Sequence, residues 1–346
     1  MNFLMMLAIS LSFFNIHASN QKTMDWDAID IPTRDTLSLI ANDNYREALE
    51  SIDKIEKSDL PITIADCLRA ALYYRITEEY RTRDFETDFD KAIKRSVDAL
   101  SKEDKNKEKD PKYKAKRLQF LGSAYGYRGM YRVFTGLWGS AFLDGKRGYD
   151  ALLDSFDLDN DLIDNKAGIG TYLYWRSAKA GFVKYLLFWG DRKQEGIADL
   201  KLAIEKGKIV KLWAMGGLLR IYMEEKKGTL SLELVDKILA IVPNDTGTMR
   251  KKAFVLEKMG QKQEAIKVYE QILPLVKSKD NIKLNGKALN TANVQIDTIY
   301  NILRLNKEIK GDVDKTSYKI EVEKLKKKIT PSHFDIESYV EEIKGF

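Results

Sequence analysis

Two stretches of this chain carry the residue types of a phosphate loop. In the first, GIGTYL, Gly168 and Gly170 match the first two glycines of a dinucleotide-binding turn. That turn also needs a third glycine, for close helix packing, and a buried strand before it. Here position 173 is Leu, and DNDLIDNKA precedes the glycines in place of an apolar strand. Read at helical spacing, Gly168, Tyr172, Trp175 and Lys179 share one face, and Gly168 marks a close approach by another helix. In the second stretch, GSAFLDGKRGY, Gly139 and Gly145 enclose five residues, and Arg147 stands where Ser or Thr would hold magnesium. A P-loop encloses four. The segment reads as a loop or a helix end.

Other chemistry is thinly supplied. DLDND, Asp157 to Asp161, begins like a calcium loop, but Leu162 stands where that loop needs Gly and Gly168 where it needs a bidentate Glu. An inter-repeat turn, with acids leading the next helix toward its positive dipole end, fits better. The two histidines, His17 and His333, lie far apart, and Cys67 has no histidine near it in sequence. There is no HExxH, CxxC or GxSxG. The sequence nominates no catalytic residue, no metal ligands and no cofactor.

The chain has 346 residues, 44% hydrophobic, enough for a core in one large or two ordinary domains. Its single cysteine allows no internal disulfide, so the fold must rest on that core. The net charge of +6 is spread among interspersed lysines and acids, with no basic stripe or nucleic-acid module, which argues against a nucleic-acid partner. At the N-terminus, FLMMLAISLSFF is an uncharged apolar run too short to span a bilayer, followed by small residues at Ala18 and Ser19. It predicts a signal peptide over 1–19 and an exported chain, periplasmic or associated with the cell envelope. No Lys or Arg precedes the run, which leaves an uncleaved anchor or a buried first helix as alternatives. No later stretch is apolar and long enough to span a membrane.

Behind these residues lies a helical pattern, dominant from about Asp35, and it repeats. Starting points at Ser177, Leu212 and Thr246 are spaced close to the 34 residues of a tetratricopeptide unit. In phase, they bring up Leu187, Gly196, Leu200 and Ala203; then Tyr222, Val235, Ile238 and Pro243; then Ala253, Leu256, Ala265, Tyr269 and Ile272. Earlier units show the same spacing in NDNYREALESIDKI, in DFDKAIKRSVDAL, and in the LGxxY of FLGSAYGYRG. The chain therefore resembles the tetratricopeptide repeat superfamily. Residues 150–207 are also similar to an exported bacterial group related to TRAP-transporter T components, and to tetratricopeptide-39-like proteins.

The resemblance implies an all-α solenoid of helix hairpins over 24–282, clearest over 177–279, with capping helices over 283–346. It implies a concave groove that binds a peptide, a protein partner or a small solute, and no catalysis. An enzyme of the envelope polymer built on a helical scaffold is the rival reading. In such arrays the groove is lined by set positions of each first helix. Here these are Tyr127, Tyr185, Phe188, Trp189, Trp213, Arg220, Glu224, Arg250, Phe254 and Lys258. Aromatics mixed with arginine suit a binding surface, and a guanidinium there needs a carboxylate partner. The expectation is that Arg220 and Arg250 hold an acidic group of the ligand.

Overall fold

The computed structural model describes residues 26–60, 64–102, 107–179, 190–311 and 316–345. Among these the regular structure is fifteen α-helices, one short 3-10 helix at Lys107–Lys109 and one tiny hairpin. In chain order the helices are α1 Asp27–Ala41, α2 Tyr45–Glu56, α3 Ala65–Tyr80, α4 Glu86–Leu100, α5 Pro111–Phe134, α6 Trp138–Leu158, α7 Asn165–Lys179 and α8 Lys193–Lys206. They continue with α9 Lys211–Glu224, α10 Gly228–Ile241, α11 Thr246–Lys258, α12 Lys262–Lys277, α13 Ala292–Lys310, α14 Thr316–Lys326 and α15 Ile336–Gly345. Between α12 and α13, β1 Lys283–Leu284 pairs antiparallel with β2 Lys287–Ala288 around Asn285 and Gly286, both left-handed, as a tight hairpin turn requires.

Neighbouring helices pack in sequence order, each against the next, as expected for a solenoid of hairpins. Local signals set the ends. The Asp110 side chain accepts from the Lys112 N–H, with Pro111 in the first turn of α5. Gly136 (φ 73°) ends α5 and turns the chain into α6. Helicity begins at Asp27, before the periodic pattern, and continues through Pro32, which lies inside the helix and removes one i→i−4 hydrogen bond.

The glycine-rich stretch is helix packing. Gly168 on α7 faces Leu152 of α6, and Gly170 meets Gly196 of α8 so closely that a Cβ on Gly196 would lie 2.5 Å from the Gly170 carbonyl oxygen. The GSAFLDGKRGY segment, by contrast, is neither loop nor helix end. It forms the first turns of α6, and its glycines serve contact, with Gly145 against Tyr172 and Gly148 against the Gly122 carbonyl oxygen. The acidic DLDND stretch forms the turn before α7. Just beyond it, the Asp164 carboxylate accepts the backbone N–H groups of Lys208, Ile209 and Val210, at 3.2, 2.9 and 2.9 Å. It thus satisfies donors that lead into α9.

The array does not stay open. Its largest apolar cluster joins side chains of α1–α5 to side chains of α11–α15, while a second surrounds α7–α10. α3 is the seam. It packs on α1, α2, α4 and α5, and also on α11 and α13 from the far end of the chain. Fifteen of its sixteen residues are buried, so it has no solvent face. At its C-terminus Arg81 turns left-handed (φ 53°). The Arg81 carbonyl accepts from Asn293 and Ser332, and its guanidinium lies 4.1 Å from the centre of the Phe334 ring. Helices from both ends of the chain thereby pack on one helix.

Candidate functional site

α3 brings five charged side chains into the interior, and a buried charge needs partners there. Arg75 meets three carboxylates: Asp245 at 2.7 Å, Glu79 at 3.1 Å and Asp43 at 3.5 Å. Asp43 sits in the α1–α2 turn and also accepts from the Tyr45 hydroxyl at 2.7 Å. Asp245 caps α11, accepting from the Thr248 N–H at 3.0 Å and hydroxyl at 2.6 Å. Glu79 accepts from the Thr246 hydroxyl and lies 3.7 Å from Arg250. One position earlier, Glu78 pairs with Arg220 of α9, and with Lys251 of α11 at 3.4 Å. Four acids face four bases across α2, α3, α9 and α11.

The pairing sets the protonation behaviour. Burial raises Asp43 to about 6 against the pull of Arg75. Burial acts on Asp245 too, but there Arg75, Lys251 and the Thr248 hydroxyl prevail and hold it at about 2. Glu78 is likewise buried, yet Arg220 and Lys251 keep it well below the usual carboxylate range. Burial lowers Lys251 despite Glu78 beside it. The backbone is fitted to this cluster: a Cβ on Gly247 would run into the Glu79 carboxylate.

Of the groove residues expected from sequence, four converge on this helix. Arg220 and Arg250 reach Glu78 and Glu79, and Arg220 also donates to the Tyr74 hydroxyl at 3.4 Å. Tyr127 packs on Tyr74 with ring centres 6.0 Å apart, and Trp213 meets Tyr127 edge-on at 5.6 Å. The carboxylate anticipated from a ligand is supplied by α3. The others stand apart. Phe254 is 41% exposed, with the Lys258 ammonium 5.2 Å from its ring centre, and Glu224 pairs with Lys179 at 2.6 Å. Tyr185, Phe188 and Trp189 lie outside the described residues.

Asp43, Glu78, Glu79, Asp245 and Lys251 were not singled out from sequence. One signal was available for two of them: the helix containing Glu78 and Glu79 shows no polar face, and charges on such a helix must be matched internally. Cys67, on the same helix, has its thiol pushed up to about 12 by burial, away from reactive thiolate character. Among the described residues no group of His, Cys, Asp and Glu could hold a metal ion, and no helix is long and apolar enough to cross a membrane.

A second feature stands outside the groove. Leu137, Trp138 and Leu143, at the tip of the α5–α6 hairpin, are 55%, 62% and 56% exposed, and Val133 and Phe142 beside them are partly exposed, Phe142 with its ring centre 6.2 Å from that of Tyr172. Five large apolar side chains within eleven residues form the densest such group in the described chain.

These features define an all-α solenoid of antiparallel helix hairpins, closed around one of its own helices. No family model and no curated protein matches the chain. Among solved structures, it is similar to the C-terminal part of a TPR repeat-containing protein from Cytophaga hutchinsonii, at 18% identity and TM-score 0.36 over 90% of this chain and 95% of that one. It is also similar to a human IFIT1 dimer with m7Gppp-AAAA, at 12% identity and TM-score 0.34 over 93% of this chain and 77% of that one. At such TM-scores neither likeness bears on function, and the fold rests on the helices themselves.

Proposed function

We propose that this chain is an exported binding scaffold of the cell envelope, and that it docks its partner at the α5–α6 tip. The observation that carries this is the division of its surfaces. Arg220 and Arg250 are paired with carboxylates of α3, while the most exposed large apolar side chains gather at one hairpin tip. A partner's carboxylate at Arg220 or Arg250 would have to compete with Glu78 or Glu79. A partner at the tip displaces only water, and clustered apolar exposure of this kind marks interaction sites.

Placing a photo-reactive benzoylphenylalanine at Trp138 tests the docking site. Adducts should form in the host envelope, and the same probe at Leu230, exposed on α10, should give none. No adduct at 138, to protein or to lipid, would end this reading. Export is tested separately by N-terminal sequencing of the native protein. Cleavage near residues 18 to 20 is expected, and an intact Met1 on a cytosolic protein would contradict it.

A further inference from the structure

The identity of the partner at this tip can be taken further, on the reading that the tip is the docking site. From Val133 to Leu143 the chain carries no charge. Cations flank this interval, with Arg128 and Arg132 on one side and Lys146 and Arg147 on the other. The one acid between Arg128 and Arg147 is Asp144, which has no exposure. It receives two hydrogen bonds from Arg128, both at 2.8 Å, and one from Arg132 at 2.5 Å, and Arg147 approaches to 3.5 Å. Lys146 pairs at 2.5 Å with Asp150, one turn further along α6, and Asp90 and Asp98 on α4 lie within electrostatic reach of Arg132 and Arg128. Glu86 on α4 faces Tyr131, and Asp335 follows Phe334, which packs on Phe134. Within the hairpin itself the exposed charges that follow the apolar interval are Lys146 and Arg147.

α5 and α6, at 24 and 21 residues, are longer than any other described helix. Phe134, the last residue of α5, packs on Tyr74 and Phe334 with ring centres 5.7 and 6.5 Å apart, so the hairpin is anchored up to its turn, and the turn and the outer side of α6 face solvent. Glycine contacts along the hairpin hold its two helices close and make it stiff, with a Cβ on Gly148 only 3.0 Å from the Gly122 carbonyl oxygen.

We infer that this tip inserts into the interface of an anionic phospholipid bilayer, with Leu137, Trp138 and Leu143 among the acyl chains and the flanking cations at the phosphates. An uncharged wedge with tryptophan at its point and a cationic collar complements such a surface in both layers: apolar atoms below, negative headgroups above. The tip dips into one leaflet and does not span the membrane.

The test is flotation of the chain, purified from its native host, with vesicles of phosphatidylcholine alone or mixed with phosphatidylglycerol. The wild type should float with the anionic vesicles. Trp138→Ser/Leu143→Ser should bind about tenfold more weakly. Lys146→Gln/Arg147→Gln should lose most of the preference for phosphatidylglycerol, as should the wild type at high salt. All these side chains are exposed, so circular dichroism should match the wild type. Equal flotation of the wild type and the apolar variant would overturn the inference, as would failure of the wild type to float. The probe at 138 separates the two readings. A protein adduct without flotation overturns the membrane inference and leaves the docking site standing. Neither adduct nor flotation overturns both.

Discussion

At the residue scale, burial displaces the Asp43 carboxyl upward. The unfolded chain releases its proton near the usual 3.8, the folded chain only at about 6. Between these values the folded state holds the extra proton, so this group's contribution to stability falls as pH rises from 3.8 to 6 and is level above. Each pH unit of displacement corresponds to about 1.4 kcal/mol. Asp245, held at about 2, acts oppositely: its contribution is lost as pH falls below 3.8. Urea midpoints measured through this range should show Asp43→Asn lacking the decline between 3.8 and 6, and more stable than wild type above it. Parallel curves would show that Asp43 does not carry the effect. Gly247→Ala probes the same cluster sterically: its Cβ would meet Glu79, and a loss of about 1–3 kcal/mol is expected by thermal unfolding. Sequence reading found Arg220 and Arg250 and the need for a carboxylate beside them. It could not find Glu78 and Glu79, because nothing local says that a helix far upstream will lie in the groove.

At the element scale, the glycines of α5 separate close contact from helix propensity. A Cβ on Gly122 would lie 2.6 Å from Leu152 Cγ and 2.9 Å from the Gly148 carbonyl oxygen, whereas one on Gly126 meets nothing within 4 Å. Gly122→Ala should cost about 1–3 kcal/mol. Gly126→Ala should be neutral or gain about 0.5–1 kcal/mol, since glycine inside a helix is intrinsically unfavourable. Thermal melts of the two variants decide this, and equal losses would show that the hairpin contact is misread. The crossing at Gly196 was legible because the repeat pattern puts a small residue there. The helical GSAFLDGKRGY was not, because a glycine used for contact and a glycine used for a turn look alike in sequence.

At the scale of the whole molecule, the closure onto α3 makes the C-terminal segment part of the core. Ser332 and Phe334 hold Arg81 at the end of α3, and α15 packs on α13. Removing residues 329–346 should therefore lower the melting temperature and strip hydrogen-exchange protection from α3, whose nearest residue is more than two hundred positions away in sequence. Unchanged protection in α3 would mean that the ends fold independently, as terminal caps on an open array would. The hairpins themselves were legible, since their contacts are local. The closure was not, since it joins segments that no short-range pattern connects. It also fixes an order of events in synthesis. Arg75 and Asp245 are 170 positions apart, and a ribosome adding about 5–20 residues each second needs roughly ten to thirty seconds to cover that distance. Throughout that delay α3 can pack on α1, α2, α4 and α5, but its side toward α11 and α13 stays uncovered, with Arg75 lacking Asp245 and Glu78 lacking Arg220 and Lys251.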